Sequence, residues 1–321
     1  MTAGQATSLL GTDALGRGLA AVLSSPEPLA VLERAPNSYG STFPSEIVTC
    51  VLGSHVVRVL CKYELDWAED VYGYPAGVVY EADVYRSAVE PSGLTAPRCY
   101  GIAVDGDTGV TWLVVEHLPG SLRVANAPDS RALTRAARWI GSFHRFHESS
   151  PSPATGHVGR HDRHYFLGCV ERALSHSRPL RAEHPWLPAL ADLFVAEHVD
   201  VLLARPTVVH GDFYPENVLT RRDGIYPVDW ASAAWSAGEI DLAALTEGDW
   251  DEETVEAATA AYARARWESD PPGDLAAHLE AARMFLHFRV LGDEPENPFE
   301  PWAASRFEQL RLDARRLEVA P

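Results

Sequence analysis

Apolar and β-branched residues gather in three short runs near the N-terminus: "LAVLERA" (29–35), "EIVTCVL" (46–52) and "VVRVLCKYEL" (56–65). Such runs suit a pleated, half-buried surface, and they predict three strands. The last two are separated by "GSH", short enough for a tight hairpin. The first two are separated by "PNSYGSTFPS", a loop of turn formers. Ahead of them, Leu9, Leu10, Leu15, Leu19, Val22 and Leu23 recur at near-helical spacing and predict a helix over 7–24. After the acidic, aromatic loop "DWAEDVYGYPAG", Val78, Glu81, Val84, Tyr85 and Ala88 return to helical spacing, and "TWLVVEHLPGSL" reads as an apolar strand ending in a Pro-Gly break. From about residue 128 the texture is mostly helical, in "RALTRAARWIGSFHRFH", "YFLGCVERALSH", "PALADLFVAEHVDVLLA", "EETVEAATAAYARARW" and "LAAHLEAARMFLHFRVLG". The pattern predicts an α+β protein with a β-rich part over 1–117, carrying the helix 7–24, and a helical part over 118–321.

Composition sharpens this reading in a few places. A chain of 321 residues has room for two domains, and 46% hydrophobic residues supply a sizeable core. The N-terminus lacks a basic segment followed by a long apolar run, and no stretch approaches the roughly 18 apolar residues of a membrane span. Cysteines 50, 61, 99 and 169 form no CxxC pair, which predicts reduced thiols in a cytoplasmic protein. A net charge of −18 excludes non-specific nucleic-acid binding, which needs a basic face. It suits a cationic substrate, although acidic surfaces also serve solubility.

One cation stands apart. Lys62, in the third strand, is the only lysine of the chain; every other basic side chain is arginine. Arginine replaces lysine readily on a surface, but not where a compact charge on a thin stem must meet a phosphate. Downstream, "VVHGDFYPENVLTRRDGIYPVDW" (208–230) joins an apolar strand end to His210-Gly211-Asp212, with Asn217 five residues after Asp212. Val218 to Thr220 run out, Asp223-Gly224 turns, and Ile225 to Val228 run back. Strands of a hairpin lie about 4.8 Å apart, so the fold-back predicts Asn217 beside Asp229. A few hard oxygen ligands suit Mg²⁺ completed by water and phosphate.

H-G-D-x-x-x-x-N followed by an apolar-flanked D-W resembles the catalytic and metal loops of the aminoglycoside phosphotransferase and choline kinase family. The likeness runs from about residue 29 to about 290. It implies a two-lobed protein-kinase-like fold with the active site between the lobes, ATP or GTP as donor, Mg²⁺, and a hydroxyl-bearing acceptor, with no nucleic acid or membrane as partner. Carried over residue by residue, Asp212 matches the catalytic aspartate, and Asn217 and Asp229 match the magnesium ligands. Lys62 matches the lysine on the α- and β-phosphates, and Glu81 the helix glutamate that holds it. Glu116 to Leu118 match the purine hinge, and Leu219 and Val228 the apolar floor beneath the base. His210 matches an orienting histidine and Asp241 a bracing aspartate. The phosphate loop departs from GxGxxG and keeps one glycine, Gly40; Ser41, with Ser38 and Thr42, is expected to supply donors there. Gly211 stands where protein kinases carry the arginine that binds a phosphorylated activation loop, which implies no such switch. In this family the region after the metal aspartate lines the acceptor site, so Asp249, Asp251 and Glu252 are candidates for a cationic acceptor.

The His-rich stretch 144–164 has no HExxH or compact four-ligand set, and its histidines read as helix-end and loop residues rather than zinc ligands. Three functions compete: a kinase for an aminoglycoside, amino alcohol or related natural product; a Ser/Thr kinase in peptide natural-product maturation; and a nucleotide-binding pseudokinase. The intact Lys, Glu, Asp, Asn, Asp set speaks against the third.

Overall fold

The computed structural model describes residues 10–37, 43–64, 77–149, 155–268 and 271–320. The chain divides into two compact units, one made of 1–122 and 219–232, the other of 123–218 and 233–321. The first unit begins with α1 (Thr12–Val22) and a five-stranded antiparallel sheet of β1 (Ala30–Pro36), β2 (Ser45–Leu52), β3 (His55–Tyr63), β4 (Cys99–Val104) and β5 (Thr111–Glu116). The strand order is β1-β2-β3-β5-β4. Successive side chains of a strand point to opposite faces. Val59, Cys61 and Tyr63 of β3 therefore share one face, where they join Val48 and Cys50 of β2, Trp112 and Val114 of β5, and Leu15 and Leu19 of α1 in one buried cluster. Lys62 takes the alternate position. Its backbone is fixed on both sides, opposite Ser45 of β2 and Leu113 of β5. The helix α2 (Gly77–Val84) runs on into a π-helical turn, Tyr85–Val89. The hairpin predicted after Asn217 is present as Val218–Thr220 and Ile225–Pro227, with the Arg221 amide donating to the Gly224 carbonyl at 3.0 Å.

β4 was not predicted. "CYGIAV" does not alternate, is interrupted by Gly101, and its pairing slips by a bulge between Cys99 and Gly101. The broken period is what hides it.

The second unit is mostly helical. α3 (Arg131–Ser149) buries Leu133, Ala137, Ile140, His144 and His147 along one face and packs on α8 (Glu252–Trp267), whose Ala258, Ala261 and Tyr262 are buried. α4 (Arg163–His176) packs on α9 (Leu275–Asp293). The segment 188–204 is not one helix: α5 (Leu187–Leu193) and α6 (Val199–Leu203) are joined by a π-helical turn, Phe194–His198. α7 (Glu239–Leu245) is buried at every residue. A helix inside a core loses its amphipathic stripe, and the period vanishes from the sequence. α10 (Ala303–Arg316) closes the chain, with Ala303, Phe307, Leu310 and Ala314 buried. A small sheet places Ala234–Ala237 between Pro206–Val209, antiparallel, and Gly159–Arg160, parallel. His210 follows directly on the strand Pro206–Val209, so the sheet delivers the His-Gly-Asp segment. No helix among the described residues is long and apolar enough to cross a membrane.

Candidate active site

In the first unit the lone lysine is buried, with 5% of its surface exposed. Its Nζ donates to Glu81 Oε2 at 2.7 Å and to Asp229 Oδ1 at 2.6 Å. The Phe43 ring centre lies 5.1 Å from the same nitrogen. Burial alone would pull the ammonium down, but Asp229 and Glu81 outweigh it and the group is held above its ordinary value. Glu81 is pushed up by its own burial, against the pull of Lys62. Its second oxygen accepts the Trp230 amide at 3.2 Å, so α2 grips both the lysine and the chain just past Asp229. Asp229 itself adopts φ +70°, a left-handed conformation uncommon for a residue with a Cβ. Such residues persist where the surroundings over-determine them, and here Lys62 and the Trp230 amide do so on either side.

In the second unit the His210-Gly211-Asp212 turn is pinned group by group. Gly211 sits at φ +80°, which favours glycine. The buried Asp241, from α7, accepts the His210 amide on Oδ2 at 2.7 Å and the Gly211 amide on Oδ1 at 2.9 Å. The Asp212 amide donates to His210 Nδ1 at 3.2 Å. Asn217 donates from Nδ2 to both the Asp212 carbonyl, at 3.0 Å, and Asp212 Oδ2, at 2.9 Å. The other carboxylate oxygen of Asp212 lies 3.3 Å from Arg289 Nη2.

Behind Asp241 stands a buried polar chain that sequence reasoning did not find. His144 Nε2 lies 3.0 Å from Asp241 Oδ2, and His144 Nδ1 lies 3.0 Å from the Tyr262 hydroxyl. Arg266 donates to that hydroxyl at 2.5 Å and to Glu239 Oε1 at 3.1 Å, and it pairs with Glu148. The one arrangement that satisfies every group has Nε2–H donating to Asp241 and Tyr262 O–H donating to Nδ1. Gly238 makes room for it: a Cβ there would fall 2.6 Å from both His144 Nδ1 and Arg266 Nη1. The only trace in the sequence was His144 itself, on the apolar face of α3 and mixed with the other histidines of 144–164.

This chain carries a pH signature. Burial, helped by Arg266, holds His144 down at about 3, whereas the unfolded residue titrates near ~6.5. Below that pH the unfolded state takes up a proton that the native state refuses, so stability falls as pH drops through 6.5. His161 and His287, held down by burial at about 3 and about 4, act in the same direction. Asp241, pushed up by burial to about 6, opposes them, because the native carboxyl takes its proton first. From pH 7 to 5.5 His144 alone is expected to cost about 1 kcal/mol. Unfolding free energies from urea melts at the two pH values should therefore fall further in wild type than in His144→Gln, by about 1 kcal/mol. An equal fall in both would remove His144 from this role.

The remaining expected residues are placed as follows. The Glu116 amide donates to the Arg98 carbonyl at 2.8 Å, and Leu118 is buried at the end of the run after β5. Leu219 and Val228 are half-buried in the hairpin. Ser41 lies outside the described residues, as do Ser38, Gly40 and Thr42. Asp249 lines a cavity of about 350 Å³ with Glu247, Arg283, His287, Ser305 and Arg306. Asp251 instead caps α8, accepting the Thr254 amide at 2.7 Å, and Glu252 opens that helix. Arg306 pairs with Glu247 in the cavity wall. Tyr214, two residues after Asp212, is pushed up by burial to about 12.

Among the described residues no group of three or more His, Cys, Asp or Glu is placed to hold a metal. The donor chemistry suits an ion that needs few protein ligands. Asp229 keeps 31% of its side chain exposed beside the buried Lys62. Asn217 has its Nδ2 committed to Asp212, so its side chain presents Oδ1 as an acceptor. Each offers a hard oxygen, the donor type that Mg²⁺ takes together with waters and phosphate oxygens.

The model of a family described as phosphotransferase enzymes (APH) matches residues 57–280. No curated protein sequence matches the chain. Among solved structures, the GDP complex of wild-type aminoglycoside 2'-phosphotransferase-IIIa gives a TM-score of 0.65 at 16% identity, over 96% of this chain and 99% of that one. The GDP and kanamycin complex of APH(2")-IIia gives 0.64 at 16%, over 94% and 98%. Choline kinase LicA from Streptococcus pneumoniae gives 0.63 at 15%, over 92% and 95%. These structures share the α+β kinase-like fold described above.

Proposed function

Since this chain belongs to the phosphotransferase enzyme family, we propose that it transfers the γ-phosphoryl group of ATP or GTP, with Mg²⁺, to a hydroxyl of a small amine-bearing molecule. The observation that carries the reading is Lys62, the chain's one lysine, buried between Glu81 and Asp229. A charge pair removed from water is costly unless its geometry serves something, and a primary ammonium set beside a half-exposed carboxylate suits nucleotide phosphates and their cation. Relatives of the same fold were solved with GDP, which supports a nucleotide donor.

In this reading Lys62 orients the α- and β-phosphates, and Glu81 keeps Lys62 from following the phosphates or Asp229. Asp229 and Asn217 would hold Mg²⁺, which neutralises phosphate charge when bound. Asp212 accepts the proton of the attacking hydroxyl. With both of its oxygens engaged, its carboxylate is aimed before the acceptor arrives, and pre-orientation of this kind is worth orders of magnitude in rate. Glu116 and Leu118 would meet the purine, with Leu219 and Val228 beneath it.

The acceptor is assigned to the cavity at Asp249. Its wall is of mixed charge: Glu247 is spoken for by Arg306, while Arg283 stands at the rim. A polycation would face two guanidinium groups there. A hydroxylated molecule with a single amine near Asp249 fits better, which favours an amino alcohol or a lightly aminated natural product over a heavily aminated one. The test is release of nucleoside diphosphate from ATP or GTP, with Mg²⁺, across aminoglycosides, amino alcohols and Ser/Thr peptides. Stimulation by a mono-amine, with a raised acceptor KM and unchanged nucleotide KM in Asp249→Asn, is expected. Stimulation by peptides alone would replace this reading with the peptide kinase.

A further inference from the structure

Arg289 enters the Asp212 loop from α9, 77 residues further along the chain. It is 4% exposed. Its Nη1 donates to the Gly211 carbonyl, and its Nη2 lies 3.3 Å from Asp212 Oδ1. Its Nε lies 3.8 Å from Asp293 Oδ2, one helical turn on. We propose that Arg289 is a positioning residue for phosphoryl transfer, a guanidinium clamp that fixes the Asp212 carboxylate relative to its own backbone. The inference rests on the reading of Asp212 as the proton acceptor.

The argument is geometric. Asp241 takes the two amides at the start of the turn, but amides alone leave the Gly211–Asp212 peptide's oxygen side and the Asp212 side chain to be held. Arg289 takes both with one rigid group. A planar fork that meets a carbonyl and the next residue's carboxylate fixes the torsion between them, because the guanidinium cannot bend. Asn217 holds the other carboxylate oxygen, so Asp212 is tethered at each end of its carboxylate. Burying a guanidinium is expensive, and a hydrophobic side chain at this place on α9 would pack at lower cost. Its retention needs a return, and the loop is the group it touches. α9 also supplies Arg283 and His287 to the wall of the cavity assigned to the acceptor. The same helix thus sets the base and part of the acceptor's surroundings.

Sequence inspection had no means of reaching this residue. One arginine among 26 carries no motif, and its partner is nearly 80 positions away.

The test is a double-mutant cycle on the intact chain. Phosphate release from ATP or GTP in Mg²⁺, with water as acceptor, is measured for wild type, Asp212→Asn, Arg289→Lys, Arg289→Gln and the Asp212→Asn/Arg289→Lys double variant. Lysine keeps the charge and most of the stem but reaches one partner at a time. Arg289→Lys is expected to lose about 10- to 10²-fold in kcat, with nucleotide KM changed less than about twofold. Arg289→Gln should lose at least as much. In the Asp212→Asn background the lysine change should add nothing, because a clamp has no effect once the group it aims is gone. Wild-type kcat in Arg289→Lys, a loss confined to KM, or additive losses in the double variant would each overturn the proposal. If Asp212→Asn alone keeps its rate, the reading of Asp212 is what fails and the clamp falls with it. That outcome is visible from the single variant.

Discussion

Asp212→Asn is expected to fold, to bind nucleotide with Mg²⁺ as tightly as wild type, and to lose turnover by about 10² to 10⁴. Two effects combine. The amide cannot take a proton from the attacking hydroxyl. It also brings an NH₂ group into a place where both oxygens face donors, Asn217 Nδ2 on one side and Arg289 on the other. Whichever way the amide turns, a donor meets a donor, and the side chain leaves its aim. The structural loss stays small, because 30% of the Asp212 side chain is exposed and water can satisfy what is displaced. Steady-state phosphate release beside calorimetric nucleotide titration separates the two quantities. A variant that keeps more than about a tenth of the wild-type rate would leave Asp212 without the role assigned to it.

The second large effect is expected at Lys62→Arg. In a chain that otherwise uses only arginine, a lysine kept by accident would tolerate this change silently. The structure argues otherwise. Nζ sits 2.7 Å from Glu81 and 2.6 Å from Asp229, under the Phe43 ring, with almost no solvent. A guanidinium is broader and places its donors further out, so it must push Asp229 or α2 away. A shift of about 1 Å can cost on the order of 10²-fold in rate where catalysis rests on positioning. Overpacking the site is expected to cost a further ~1–3 kcal/mol of stability. Kinetics and urea melts of the one variant check both statements, and unchanged turnover would return the lone lysine to the status of a compositional remnant.

How far the sequence alone reached depended on how local the interactions are. β2, β3 and their hairpin were legible because both runs are dense in apolar and β-branched residues and a short turn-forming segment parts them. The hairpin after Asn217 was legible because Asp-Gly in a short turn between apolar runs has its own chemistry. Lys62, Glu81, Asp212, Asn217 and Asp229 were singled out because rarity and spacing are properties of the chain itself. Tertiary structure decided the rest, wherever partners are distant or period is lost. α7 is buried on every side and so shows no stripe; Asp241 was named by resemblance alone, and only the structure shows it holding two amides of the Asp212 turn. Asp251 looked like Asp249 in the sequence, but a helix start at Glu252 drew its carboxylate into capping while Asp249 was left to line a cavity. His144, Tyr262, Arg266 and Arg289 carry no motif. They matter because the packing of α3 on α8, and the course of α9, set them within hydrogen-bonding distance of groups 27 to 118 positions away or of one another. A buried polar group must be satisfied wherever its partner comes from, and that requirement, unlike periodicity, is written only in three dimensions.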